Sequence, residues 1–334
     1  METHLVFIHL GSKNPLYLER NISRTRAIFP EVSIVVAGQN ERLSSLASEV
    51  GATFCKLDDW LGDPDLVAEE IARDGLDKSF WNGYWQKTFD RLLAIAYIHE
   101  SIGPGSLVHI ESDVIVTQDF PVSDFANLTK IMWGAYDDRA DIASIVSSPS
   151  AEDSRWLFNA LVAEASADNT VTDMVALRKV REKYPEKIML LPATPCEPFD
   201  SSSGPVIFDG LHIGEWLFGW DPKAHWGFKR RRILINPYSD VVAAGKFSFE
   251  DGSLALETGK GKAQIASLHI HSKELRYFAP DISHAIPKLL SRLRRPHVFY
   301  GFVPLGFATW AVSRAKRWTM SLFRILRGGG QKLG

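Results

Sequence analysis

Strict alternation of strand-like and helix-like stretches over the first 57 residues constrains this chain more than any other feature. "HLVFIHL" (4–10) reads as a buried strand. "NPLYLERNISRTRAIF" (14–29) follows as a helix, with Asn14 as a candidate N-cap and Pro15 at the first helical position. "VSIVVAG" (32–38) is a second strand, "ERLSSLASEVG" (41–51) a short helix stopped by Gly51, and "TFCKL" (53–57) a third strand. Such alternation predicts a parallel sheet with helices packed on it.

"SFWNGYWQKTFDRLLAIAYIHESIGPG" (79–105) predicts a long helix with Trp85, Phe89, Leu92, Leu93 and Ala96 on one stripe. Lys87 and Arg91, four apart, share another face. "SLVHIE" (106–111) is apolar on both faces, as a central parallel strand must be. Further on, "TVTDMVALRKVREKY" (170–184) predicts a helix starting near Thr172 or Asp173, and "KIMLLP" (187–192) a strand. Residues 192–210 read as a long Pro/Ser loop. "FSFEDGSLALE" (247–257) predicts a hairpin turning at Asp251-Gly252, and "SLHIHSK" (267–273) a further strand.

Glu111-Ser112-Asp113 stands where the central strand runs out. In open α/β sheets, ligands bind beyond the carboxyl ends of the strands. Two carboxylates there suit Mg²⁺ or Mn²⁺ shared with a substrate phosphate. Spacing alone favours a turn cap at Asp113 beside a solvated Glu111. His269 and His271, two apart on a strand, would share a face and could add a nitrogen ligand or serve a structural role.

Taken in order, these segments resemble the GT-A class of nucleotide-sugar glycosyltransferases, over roughly residues 1–280. The acidic motif of that class is usually Asp-x-Asp; here it is Glu111-Ser112-Asp113. "VTDMVAL" (171–177) and "FDGLHIGEWLFGWDP" (208–222) resemble blocks of bacterial enzymes of this kind, and "LHIHSK" (268–273) the late His-containing strand. The resemblance implies a GT-A-like α/β domain over 1–280, with a central mostly parallel sheet flanked by helices. Residues 1–120 would be its nucleotide-binding half and 121–280 its acceptor-side half. It implies Asp113 as metal ligand, supported by Glu111, and His271 ahead of His269 as the second ligand. Lys87 and Arg91 would lie near the nucleotide, and Lys273 would meet its diphosphate. Asp173, Asp209 and Glu215 are candidates for a general base, with Asp173 equally readable as an N-cap and Asp209 as a turn residue. Mn²⁺ or Mg²⁺ is the implied cofactor and a nucleotide-diphosphate sugar the donor, with a glycan or lipid-linked acceptor of the polysaccharide or lipopolysaccharide type. Two other readings stay open: a non-catalytic nucleotide- or carbohydrate-binding protein on the same fold, and another nucleotide-dependent transferase such as a nucleotidyltransferase. The dinucleotide glycine fingerprint and the Walker A pattern are both missing from the sequence, against dehydrogenases and P-loop kinases.

Trp216, Trp220 and Trp226 follow Asp209 and fit either an acceptor wall or core. "FKRRR" (228–232) reads as a solvated face or a contact for phosphate or anionic lipid. From Ile282 to the C-terminus the chain has ten Lys/Arg and no Asp/Glu, leaving 28 basic and 40 acidic residues on the rest, a net of −12. The expected organisation is therefore an acidic body with a basic, aromatic-rich helical tail over 281–334. "VFYGFVPLGFATWAV" (298–312) is uncharged but short for a span of about 20 residues, and Pro304 interrupts it. Such a tail suits an anionic membrane surface, or helices packed on the body. Residues 5–10 are too short for a signal-peptide core, and Cys55 and Cys196 make neither a disulfide framework nor a zinc pattern. A cytoplasmic protein, peripheral on the inner face of the plasma membrane and without a nucleic-acid partner, is the expectation.

Overall fold

The structure, a computed structural model, describes residues 2–11, 14–57, 83–136, 140–195, 198–218, 245–279 and 286. The N-terminal alternation folds as β1 (Thr3–His9), α1 (Leu16–Ile28), β2 (Ser33–Gly38), α2 (Glu41–Glu49) and β3 (Thr53–Lys56), with the three strands parallel. One detail differs from expectation. Pro15, in extended conformation, is the N-cap of α1, and the Asn14 side-chain oxygen instead accepts from Asn40 Nδ2 at 2.8 Å. Asn40 in turn caps α2, accepting from the Leu43 N–H at 3.0 Å.

Helix α3 (Tyr84–Ile102) leads into β4 (Ser106–Ile110), which pairs parallel with β1 and is buried throughout, as its two-sided apolar sequence requires. The chain continues through β5 (Val114–Val116), α4 (Val122–Phe125), β6 (Ile131–Ala135), β7 (Asp141–Ser148), α5 (Ala151–Ala167), α6 (Asp173–Lys183) and β8 (Ile188–Leu191). The first sheet has the order β3-β2-β1-β4-β7-β6-β8 and is parallel except where β7 runs against β4 and β6. Alternation along β1 and β2 splits the core in two. Val6, Ile8, Val35 and Ala37 pack on Phe89, Leu92 and Leu93 of α3 and on α5 and α6. Leu5, Phe7, Ile34 and Val36 pack on Leu18 and Ile22 of α1 and Leu43 of α2. Each such buried Val, Leu, Ile or Phe side chain contributes about 1.5–3 kcal/mol. Helix α1, which leaves β1, and helix α3, which leads into β4, therefore lie on opposite faces, and the strand order reverses between β1 and β4, which makes the crevice between these two strands the topological switch point.

Residues 192–210 do not form a loop throughout: β9 (Phe199–Ser201) and β10 (Gly204–Phe208) make an antiparallel hairpin. A short helix α7 (His212–Phe218) follows, then β11 (Lys246–Glu250), β12 (Ser253–Thr258) and β13 (Gly261–His269). The expected hairpin turns at Asp251 (φ 50°) and Gly252 (φ 84°), both left-handed, as a two-residue type I′ turn demands. The second sheet has the order β11-β12-β13-β10-β9, and β5 pairs with the free side of β13 near its end. Ile207, Leu217, Ile265 and Leu268 form its core with Tyr277 and Phe278 of a 3-10 turn (Leu275–Phe278).

Strand β13 ends at His269 and does not continue to Lys273. The His271 N–H folds back on the His269 carbonyl at 3.1 Å, and Lys273 is left-handed at φ 51°. The side chains of Glu215 and Trp216, and all of Cys196, Trp220, Trp226, 228–232 and the tail beyond Ile286, lie outside the described residues. Among the described residues no helix is long and apolar enough to cross a membrane.

Asp141, at the start of β7, is a fully buried carboxylate. It accepts from Trp133 Nε1 at 2.9 Å and from Arg181 Nε and Nη2 at 2.6 and 2.9 Å, which ties α6 to β6 and β7. Removing the cation strands a buried charge, whereas Asp141→Asn leaves a neutral amide. Arg181→Met is expected to cost about 3–5 kcal/mol in urea unfolding, and Asp141→Asn about 1–3 kcal/mol. The reverse ranking would show that the ion pair does not govern this junction.

Candidate metal and diphosphate site

Strand β4 ends at Ile110, and the chain turns through Glu111-Ser112-Asp113 before β5 leaves for the second sheet; the Val114 N–H closes the turn on the Glu111 carbonyl at 3.0 Å. Asn21 of α1, fully buried, holds this turn by donating Nδ2 to the carbonyls of Ser112 (3.2 Å) and Val114 (2.7 Å). Arg24 donates to the Val116 carbonyl from the same helix. Antiparallel pairing of β5 with β13 sets Val114 opposite His269, and the Ile270 N–H donates to the Asp113 carbonyl at 2.7 Å. Residues far apart in sequence are thus fixed side by side by main-chain bonds.

Glu111, Asp113 and His269 bring one ligand atom each within 4.8 Å of one another. His269 Nε2 lies 3.4 Å from Asp113 Oδ1 and 3.7 Å from Glu111 Oε2. His269 Nδ1 lies 2.8 Å from the Gly210 carbonyl, which can only accept, so Nδ1 carries a proton and Nε2 is the nitrogen turned to the acids. Lys273 Nζ lies 3.4 Å from Asp113 Oδ2 and 5.6 Å from the Tyr17 ring centre, and Arg91 is ion-paired with Glu111. Two carboxylates and one imidazole nitrogen form a donor set that fits a divalent metal ion.

The charges are strongly coupled. Burial alone would lower the pKa of His269, but Asp113 and then Glu111 outweigh it and push it up to about 9. Burial would raise Asp113, yet His269, Lys273 and His271 hold it well below the usual carboxylate range. Asp173, 4 % exposed at the first turn of α6, is raised to about 6 by burial, opposed by Arg91 and reinforced by Glu111. Its Oδ1 has no hydrogen-bond partner among the described residues.

Of the residues expected from sequence, Arg91, Glu111, Asp113 and Lys273 meet in this cluster, with Asp173 beside Arg91. Thr172, not Asp173, is the N-cap of α6, accepting from the Val175 N–H at 3.5 Å. Lys87 lies one turn before Arg91 and is exposed. The histidine in the cluster is His269; the His271 ring sits beside it, centroids 4.3 Å apart. Asp209 is buried and accepts from main-chain N–H groups at the start of α7 and from His269. Sequence reading missed Tyr17, whose ring lies under Lys273. The available signal was its place in the first turn of the helix leaving β1, beside the switch point.

Solved structures similar in fold include mouse xyloside xylosyltransferase 1, matched over 57 % of this chain and 86 % of its own at 11 % identity and a TM-score of 0.42. The glycosyltransferase GlyE of Streptococcus pneumoniae matches over 57 % of this chain and 45 % of its own at 13 % identity and a TM-score of 0.36. The PaToxG glycosyltransferase matches over 55 % and 69 % at 10 % identity and a TM-score of 0.36. No protein-family model and no curated protein matches the chain.

The raised pKa of His269 has a consequence for the metal-free protein. The unfolded imidazole titrates near 6.5, so the ion pair with Asp113 is fully present below that pH and is lost as pH rises through about 9. In chelator, stability should fall between these limits by an amount on the order of 3 kcal/mol. Asp113→Asn should flatten this slope in urea titrations taken from pH 6 to pH 9.5. An equal slope in that variant would locate the pH dependence elsewhere.

Proposed function

We propose that the protein is a metal-dependent glycosyltransferase that moves a sugar from a nucleotide-diphosphate sugar to a glycan or lipid-linked acceptor. The observation that carries this reading is the Glu111–Asp113–His269 cluster, set at the switch point between β1 and β4 with Lys273 and Arg91 beside it. A divalent ion held there supplies charge that offsets the charge growing on a leaving diphosphate. Asp113 and His269 are the groups best turned to hold that ion, and Arg91 fixes the second carboxylate, Glu111. Lys273 is near enough to Asp113 to serve both the acid and a diphosphate oxygen. Asp173, buried beside Arg91 with one oxygen unmet among the described residues, is the carboxyl assigned to a sugar or acceptor hydroxyl; a pKa raised to about 6 suits proton transfer near neutrality. A binding protein on the same fold would share the cluster but would not turn over donor.

A panel of nucleotide sugars with Mn²⁺, with Mg²⁺ and with chelator, read by thermal shift and by donor hydrolysis, tests the reading. Metal-dependent stabilisation and slow hydrolysis are expected with one donor, and both should vanish in Asp113→Asn. Stabilisation without hydrolysis or transfer would favour the binding protein. His269→Ala should weaken metal binding at least 10-fold, in the range of losing a ligand or its support, and more than His271→Ala does. The opposite order would return the ligand to His271.

The acceptor side rests on composition. The basic, aromatic tail supports a peripheral site on an anionic membrane, close to a lipid-linked acceptor. Full-length protein should co-sediment with anionic but not neutral liposomes, less so at high salt, and not after truncation at Pro287. Protein left in the supernatant with both would remove the membrane from this assignment.

A further inference from the structure

Asp209 is 1 % exposed and its carboxylate is fully occupied by the main chain. Oδ1 accepts from the Ile213 N–H at 2.9 Å; Oδ2 accepts from the Gly214 N–H at 2.6 Å and the His269 N–H at 2.8 Å. A group so placed is ill suited to receive a proton from a substrate.

The reason for the arrangement lies in the sheet. Strand β13 is paired on one side with β5 and on the other with β10. Strand β10 ends at Phe208, which is opposite Ser267, after an irregular step between Ile207 and Phe208. On that side His269 has run past its partner strand, and its buried N–H needs another acceptor. Asp209, the next residue after β10, supplies a side-chain oxygen where the ladder carbonyl is missing. Two neighbours complete the grip. The Gly210 carbonyl takes the Nδ1 proton of the imidazole. Gly214 lets α7 approach so closely that a Cβ there would stand 1.9 Å from the His269 carbonyl oxygen and 2.7 Å from Asp209 Oδ2.

We infer that Asp209 is a positioning residue, which with Gly210 and Gly214 fixes the main chain and ring of His269 so that Nε2 faces Asp113 and Glu111. This rests on reading those three residues as the metal site, and it gives the segment 209–214 a role distinct from substrate contact. Groups that orient a metal ligand typically carry a 10–100-fold effect on affinity.

Asp209→Asn puts an amide N–H₂ against main-chain donors; Gly214→Ala leaves the carboxylate in place and pushes only on the His269 carbonyl and Asp209. Mn²⁺ binding by the full chain, followed by electron paramagnetic resonance, should weaken by about 10–100-fold in both variants. The imidazole-nitrogen modulation of the electron-spin-echo envelope should be lost, while far-UV circular dichroism is unchanged. Hydrogen exchange in chelator should speed up at the end of β13. Mn²⁺ binding within about twofold of wild type, with nitrogen modulation intact in either folded variant, would overturn the inference. Wild-type protein that binds no Mn²⁺ would overturn the metal reading instead. The exchange rate at His269 would then decide the positioning role, and unchanged exchange in both variants would refute it.

Discussion

The register of three residue pairs between β5 and β13 governs the rest. Val114 lies opposite His269, Ile115 opposite Leu268 and Val116 opposite Ser267. Because side chains alternate, a slip of one residue would turn His269 from the acids and Leu268 toward them. Thr117 helps to pin the register by donating Oγ1 to the Ile265 carbonyl at 2.8 Å, and Asn21 and Arg24 hold the other side of β5 to α1. Each buried hydrogen bond of this kind is worth about 1 kcal/mol net. The two sheets are thus joined at the point where the carboxylates stand, and the site is a product of that junction.

Electrostatics make the junction tolerable. Two carboxylates this close would repel in a buried setting, and the chain answers with its own cations: Arg91 on Glu111, and Lys273 and His269 on Asp113. A metal ion must compete with a proton on His269 and with the Lys273 ammonium for the same oxygens.

Much of this was legible in the sequence, and the limits have physical causes. The parallel half showed itself because its strands are buried on both faces and its helices are regularly striped. The acidic pair was legible as the end of the central strand. β6, β7 and α5 escaped notice, since "IMWGA" and "DIASIVSS" are short and mixed with small polar residues. The β9–β10 hairpin was hidden by its serines and Pro205, which read as loop although Pro205 sits in β10. The resemblance favoured His271 through its closeness to Lys273, whereas the cluster contains His269. The strand stops at His269, opposite Val114 at the start of β5 and two residues past the last pair with β10, and no pattern within 267–273 records where a neighbouring strand begins or ends. For Asp209 the partners are main-chain N–H groups, which every residue type but proline supplies, so no spacing could reveal them.

The order in which the chain is made adds a last consequence. All seven strands of the first sheet are present once synthesis reaches Leu191, and β5, three consecutive apolar residues, is made well before that. Its partner β13 is complete only at His269, roughly 80 residues later, which at ~5–20 residues per second is several seconds. During that interval "VIV" is an apolar strand with an unpaired edge on a nascent chain, the kind of edge that recruits other strands. The same pairing that assembles the site therefore makes the unfinished protein most prone to aggregate, and a ribosome that stalls between these two points would release a chain with a nearly complete first sheet and a sticky seam.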